Sequence, residues 1–136
     1  MFNLDPTLKQ DTVFVSSLAL SDVLLMNDSQ YPWFILVPRV EDVTEIIALS
    51  AEQRAMLYEE SHCLSKMLVD FFKVDKLNIA ALGNVVAQLH IHHVGRFRDD
   101  VAWPRPVWGV ANPVPYTVIE RSRVIERALD YLEKFA

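Results

Sequence analysis

The 136-residue chain is short of cysteine, glycine and clustered positive charge, and each shortage closes off a class of protein. Cys63 is its single cysteine, so no intrachain disulfide can brace the fold. Three glycines, with no Gly/Ser-rich or repeated segment, leave no internal linker to divide the chain. The formal net charge is −5 and no Lys/Arg run exceeds two residues, which removes the long-range attraction that binders of polymeric DNA or RNA use. No run of about 18 apolar residues occurs, so no membrane partner is expected. The start, Met1-Phe2-Asn3-Leu4-Asp5-Pro6, lacks the basic and apolar regions of a secretion signal, and the expectation is a soluble cytoplasmic protein. A small phosphorylated ligand stays open, because such a site needs a few placed donors and not a basic molecule.

What is present suits a packed core. Residues are 51% hydrophobic and 23% charged, and a chain of this length buries roughly two-thirds of the surface its unfolded form exposes. One domain over residues 1–136 is expected. Two apolar runs, Asp22 to Met26 and Trp33 to Val37, flank the turn formers Asn27 to Pro32 and read as neighbouring antiparallel strands. Thr12 to Leu18, with Val13 and Val15 on one face, reads as a further strand. A short helical piece spans Glu41 to Leu49. Ser50 with Gln53 forms a capping box opening a long helix whose stripe is Leu57, Leu64, Met67, Leu68 and Phe71. Cys63 and Met67 read as core there, and His62 as solvated. Between Asn78 and Phe97 two more strands are expected, joined near Gly83-Asn84. Thr117 with Glu120 repeats the capping box, and Val118, Ile125, Ala128, Leu129 and Leu132 recur at helical spacing to the C-terminus. Helices with antiparallel strands make the fold class α+β.

The chemistry is concentrated in Gln88-Leu89-His90-Ile91-His92. Read as a strand, this run projects Gln88, His90 and His92 to one side, with His93 facing away. Same-side neighbours stand roughly 6.5 to 7 Å apart, within reach of one phosphate. A neutral imidazole attacks phosphorus without a strong base, and a second one beside it donates to the phosphoryl oxygens, with the Gln88 amide as a further donor. On spacing alone, a half-exposed strand carrying polar residues outward explains the run as well as chemistry does. A His-x-His metal pair is a third reading, ranked below phosphate chemistry because its remaining ligands would have to come from Asp99, Asp100 or His62.

The run Gln88-Leu89-His90-Ile91-His92-His93-Val94 resembles the signature of the histidine triad (HIT) superfamily of nucleotidyl hydrolases and transferases, His-φ-His-φ-His-φ-φ with φ apolar. The resemblance covers about residues 13–97 and leaves the loop and helix of 98–136 outside it. It departs from the pattern at Gln88, where the family has His, and at the polar His93. The resemblance implies an antiparallel sheet of about five strands with packed helices, here with an extra C-terminal helix. It further implies a homodimer. By the same resemblance His90 is the nucleophile that carries a nucleotidyl intermediate, and His92 contacts the phosphate and assists the leaving group. Leu24-Leu25-Met26-Asn27 followed by Trp33 to Arg39 is similar to the family's strand pair, which puts Asn27 on ribose hydroxyls; on its own, Asn27 reads as a turn former. Asn78, Gly83 and Asn84 resemble the positions around the phosphates, with Val85 where a hydroxyl residue is common. Gly95-Arg96 follows the triad as in relatives, and Arg96 and Arg98 read as surface or dimer charges. Ala102 to Gly109 resembles a bacterial HIT-like subgroup; Trp103 and Trp108 read as packing, with stacking on a base as the lesser alternative. The implied substrate is a small nucleotide, a dinucleoside polyphosphate or nucleoside phosphoramidate, with no cofactor and no metal. The alternative is a nucleotide-binding module with weak or no catalysis, prompted by Gln88.

Overall fold

A computed structural model of the chain describes residues 1–135. Five antiparallel strands, β1 (Thr12–Ser17), β2 (Ser21–Met26), β3 (Trp33–Pro38), β4 (Lys76–Ala81) and β5 (Ile91–Arg96), form one sheet in the order β1-β2-β3-β5-β4. The α+β, five-strand reading therefore holds. The central strand β3 is buried on both faces, which is why its sequence is an unbroken apolar run and not an alternating one. Phe34 and Leu36 face one core cluster; Trp33, Ile35 and Val37 face a second.

The first cluster lies under two helices, α2 (Ala51–Asp70) and α3 (Val118–Phe135). Ser50 caps α2 as its sequence indicates: the Ser50 hydroxyl accepts from the Gln53 amide at 3.1 Å and the Gln53 side chain accepts from the Ser50 amide at 2.9 Å. Leu57, Cys63, Leu64, Met67 and Leu68 are buried against the sheet and His62 is exposed. The matching box at α3 joins Thr117 and Glu120, and α3 buries Ala128 and Leu132, while Val118 points to solvent at 68% exposure and is not part of the packed stripe. In place of a helix over Glu41 to Leu49 there is one 3-10 turn, Ile46–Ala48. Of that segment only Val43 and Leu49, near its ends, reach the first core cluster, while Ile47 is 87% exposed.

The second cluster lies on the opposite face of the sheet, covered by α1 (Pro6–Asp11) and the 98–117 loop. The α1 helix was not anticipated, although Asp5-Pro6 is a helix-start signal: the Asp5 carboxylate accepts from the Thr7 amide at 2.8 Å and Pro6 sits in the first turn. Leu8 of α1 and Ala102 and Val107 of the loop are buried here. Arg96, expected as a surface or dimer charge, is 1% exposed. It ion-pairs with Asp100 at 2.8 Å beneath the rings of Tyr31 and Trp103. Asp100 in turn accepts from the amides of Phe97, Ala102 and Trp103, so the pair folds the loop over the sheet. Arg98 does lie at the surface, opposite Asp75.

Candidate active site

The strand that carries the histidines starts at Ile91, three residues later than a strand over 88–92 requires. Its pairing with β3 begins at Leu36↔Ile91. Continuing that register would set Leu89 against Pro38, which has no N–H to offer; the Leu89 amide bonds instead to the Val43 carbonyl. Gln88 and His90 therefore belong to the segment leading into β5, and only His92 lies on the strand itself.

His90 and His92 still converge, with ring centroids 4.8 Å apart and planes inclined at 77°. Both are almost fully buried, and both line a cleft of about 190 Å³ with Thr7 and Asp11 of α1, Asn84 and Trp108. His90 Nδ1 lies 2.7 Å from the Gln88 carbonyl. A carbonyl can only accept, so Nδ1 carries the proton and a neutral His90 presents a bare Nε2. His92 has the opposite arrangement. The Trp33 indole N–H donates to His92 Nδ1 at 3.0 Å, and because indole is a donor only, the His92 proton sits on Nε2. Burial first, and then the neighbouring His90 and His93, push the His92 imidazolium down to about 3, which keeps the ring neutral. One ring thus offers a lone pair and the next an N–H.

Trp33 and Trp108 both meet His92 edge-on, at 5.7 and 5.1 Å between centroids. His93 faces the other side of the sheet, as expected, where its Nε2 lies 2.7 Å from the Ser61 hydroxyl of α2.

Comparison with family models matches the HIT domain over residues 7–99. The chain belongs to the HIT domain family. Three solved structures resemble the whole chain. A histidine triad protein from Marinobacter aquaeolei VT8 is 48% identical, with 100% of this chain and 99% of that one covered at a TM-score of 0.97. One from Bradyrhizobium japonicum is 45% identical, with 96% and 97% covered at 0.94. One from Sinorhizobium meliloti 1021 is 37% identical, with 96% of each covered at 0.93. Comparison with the curated proteins finds no match.

In this HIT domain the remaining expected site residues divide. Gly83 and Asn84 border a recess that adjoins His90; a Cβ on Gly83 would stand 3.1 Å from the Val86 carbonyl, so the loop there is tightly wound. Asn27 borders a second recess with Trp33 and Trp108, while its side-chain oxygen accepts from the Tyr116 amide at 3.0 Å. Gln88 borders the same recess as Gly83, Asn84 and His90, but its polar atoms, like those of Asn78, are engaged elsewhere. The Gln88 amide accepts from the Asp5 N–H and donates to the Asn3 carbonyl, both at 2.8 Å, so it binds the N-terminal segment and not the cleft. Asn78 accepts from Arg96 Nη1 at 2.8 Å, two residues further along the sheet from the histidines. The metal candidates are equally dispersed: Asp100 is paired with Arg96, and Asp99 and His62 are exposed. Among the described residues no three His, Cys, Asp or Glu side chains gather as a metal site.

Trp33, Thr7 and Asp11 went unrecognised in the sequence. For Trp33 there is a general signal: a buried indole N–H in a strand needs an acceptor. Nothing local names that acceptor, which is 59 residues away.

Proposed function

We propose that this HIT domain is a nucleotidyl hydrolase or transferase for a small nucleotide of the dinucleoside polyphosphate or nucleoside phosphoramidate type. The observation that carries the reading is a pair of hydrogen bonds that set opposite tautomers, the Gln88 carbonyl at His90 Nδ1 and the Trp33 indole at His92 Nδ1, in two rings that line one cleft. His90 attacks the α-phosphorus and forms an N–P bond as the leaving group departs. His92 donates a hydrogen bond to the charge that develops on the phosphoryl group. Water or another acceptor then displaces His90 and releases the nucleotide. Asn84 lies where it can meet phosphate oxygens, Gly83 shapes the loop beside them, and Asn27 stands at the recess suited to the sugar. Gln88 acts through the N-terminal wall of the cleft, and Asn78 through Arg96. The reading includes a homodimer, built from one domain per chain, and a cytoplasmic location; no helix among the described residues is long and apolar enough to cross a membrane.

The test is to mix protein with substrate, denature rapidly at alkaline pH, where N–P bonds survive, and weigh the intact chain. A nucleotidyl adduct that disappears in His90→Ala supports the assignment. Equal turnover by wild type and His90→Ala refutes it. A second reading, a nucleotide binder that does not turn over, is favoured by one observation: Gln88 brings no third polar group to the cleft. Calorimetry that shows tight nucleotide binding, with no product after long incubation, selects it.

A further inference from the structure

We propose that Trp33 is a positioning residue that locks His92 as a neutral hydrogen-bond donor, restricting the reaction to leaving groups that depart as anions without taking a proton. The inference deepens the nucleotidyl-transfer reading and rests on it. An imidazole acts as a general acid only by accumulating a second proton and giving one away. For His92 that second proton would have to sit on Nδ1, which faces the indole N–H at 3.0 Å. Two N–H groups cannot point at each other across that distance, so protonation requires breaking the bond and turning a ring wedged between Trp33 and Trp108. Trp33 is itself 7% exposed and packed in the second core cluster.

The charged and titratable groups facing His92 are few. From the segment before β5 comes His90, from β5 itself His93 on the opposite face, and from α1 Asp11 at the rim of the cleft. Either histidine, if charged, would further oppose an imidazolium at His92. Asp11 is exposed and, among the described residues, is the one carboxyl bordering the cleft, so it enters the test.

With a phosphoanhydride the electron count closes without an acid. His90 Nε2 supplies the pair for the new N–P bond, the bridging P–O bond breaks, and its pair leaves on a phosphate oxygen that is an anion at neutral pH. The His92 proton stays in place as a hydrogen bond. With a phosphoramidate the breaking bond is P–N, and the nitrogen must receive a proton to leave as an amine. The locked His92 cannot supply it.

General-acid assistance contributes about 10²–10⁴-fold. An adenosine or guanosine dinucleoside tetraphosphate should therefore exceed the matching nucleoside 5′-alkylphosphoramidate by about 100-fold in kcat/KM. In Trp33→Phe that ratio should fall by about 10-fold or more, and phosphoramidate turnover should gain an acidic limb in its pH profile. A direct readout needs no turnover: long-range proton–nitrogen NMR of the wild type should show His92 protonated at Nε2 and bare at Nδ1 between pH 5.5 and 8. Equal turnover of the two substrate types, or phosphoramidate turnover lost in Asp11→Asn, overturns the inference and leaves nucleotidyl transfer standing. A His92 that titrates in that pH range overturns it as well. Turnover of neither substrate by a protein with the expected ring protonations ends both readings together.

Discussion

His93 shows what a histidine does here when it is not in the cleft. Its ring is fully buried, with Nδ1 near the Ile91 carbonyl at 3.1 Å and Nε2 against the Ser61 hydroxyl, tying β5 to α2. Burial pushes its imidazolium down to about 4, against the opposing effect of the Ile91 carbonyl. A histidine whose folded value lies below its ordinary 6.5 leaves stability intact at neutral pH. As the pH falls from 6.5 toward 4 the unfolded chain takes up a proton that the folded chain refuses, and stability declines by on the order of 3 kcal/mol. His92, lowered from the same 6.5 to about 3, adds a parallel loss over that range and carries it further down. Denaturant unfolding at pH 7 and pH 4.5 should show this loss in the wild type and a smaller one in His93→Gln; equal losses would assign the acid sensitivity elsewhere. Gln88 makes a second case. Its side chain holds the N-terminal segment by two hydrogen bonds, so Gln88→His should not raise turnover, and Gln88→Ala should speed hydrogen exchange in residues 3–11. A tenfold gain in Gln88→His would show that position 88 faces the substrate after all. The alternation rule placed His93 correctly; it presumes a strand at Gln88, where none has begun, and there the amide turns to the N-terminal segment while the residue still borders the recess beside His90.

At the scale of elements, the parts legible in the sequence are those whose signals are local. The capping boxes at Ser50 and Thr117 involve residues three apart and both form. Ser50→Ala should cost about 1 kcal/mol, measurable as a lowered unfolding midpoint, with Gln53→Ala showing a comparable loss. The runs in β2 and β3 were equally clear, since a strand buried on both faces must be apolar throughout. Where β5 begins was not clear, because that depends on Pro38 of a different strand. The same dependence explains Gly95, which in the sequence is only the residue that follows the triad with Arg96. A Cβ there would lie 2.5 Å from Val74 Cγ1 and 2.8 Å from Pro32 Cγ, so glycine permits the chain after α2 and the β2–β3 loop to close on β5. Gly95→Ala should destabilise by about 1–3 kcal/mol through overpacking, without removing either cleft imidazole. Unaltered stability in that variant would mean the two neighbouring segments yield readily.

At the scale of the whole molecule, the sheet has two edges, and they differ. The β1 edge is interrupted by a register shift between Phe14 and Ser16 and packs beside α3, two features that discourage further pairing. The β4 edge is regular over six residues, from Lys76↔Arg96 to Ala81↔Ile91. Ile79 on β4 is 50% exposed, so an apolar side chain lies on the free edge. A sheet edge with unpaired backbone groups and apolar neighbours is a template for a second strand, and a twofold pairing of β4 with its own copy satisfies both chains by the same contacts. The proposed homodimer would pair at this edge. A lysine at position 79 puts a charge beside its symmetry mate at such an edge, the device by which natural edge strands avoid pairing. Sedimentation equilibrium should show a dimer for the wild type and a monomer for Ile79→Lys, with folding checked by circular dichroism. A dimer that persists in Ile79→Lys but dissociates when Phe14, 57% exposed on β1, is changed to Lys would move the interface to the opposite edge.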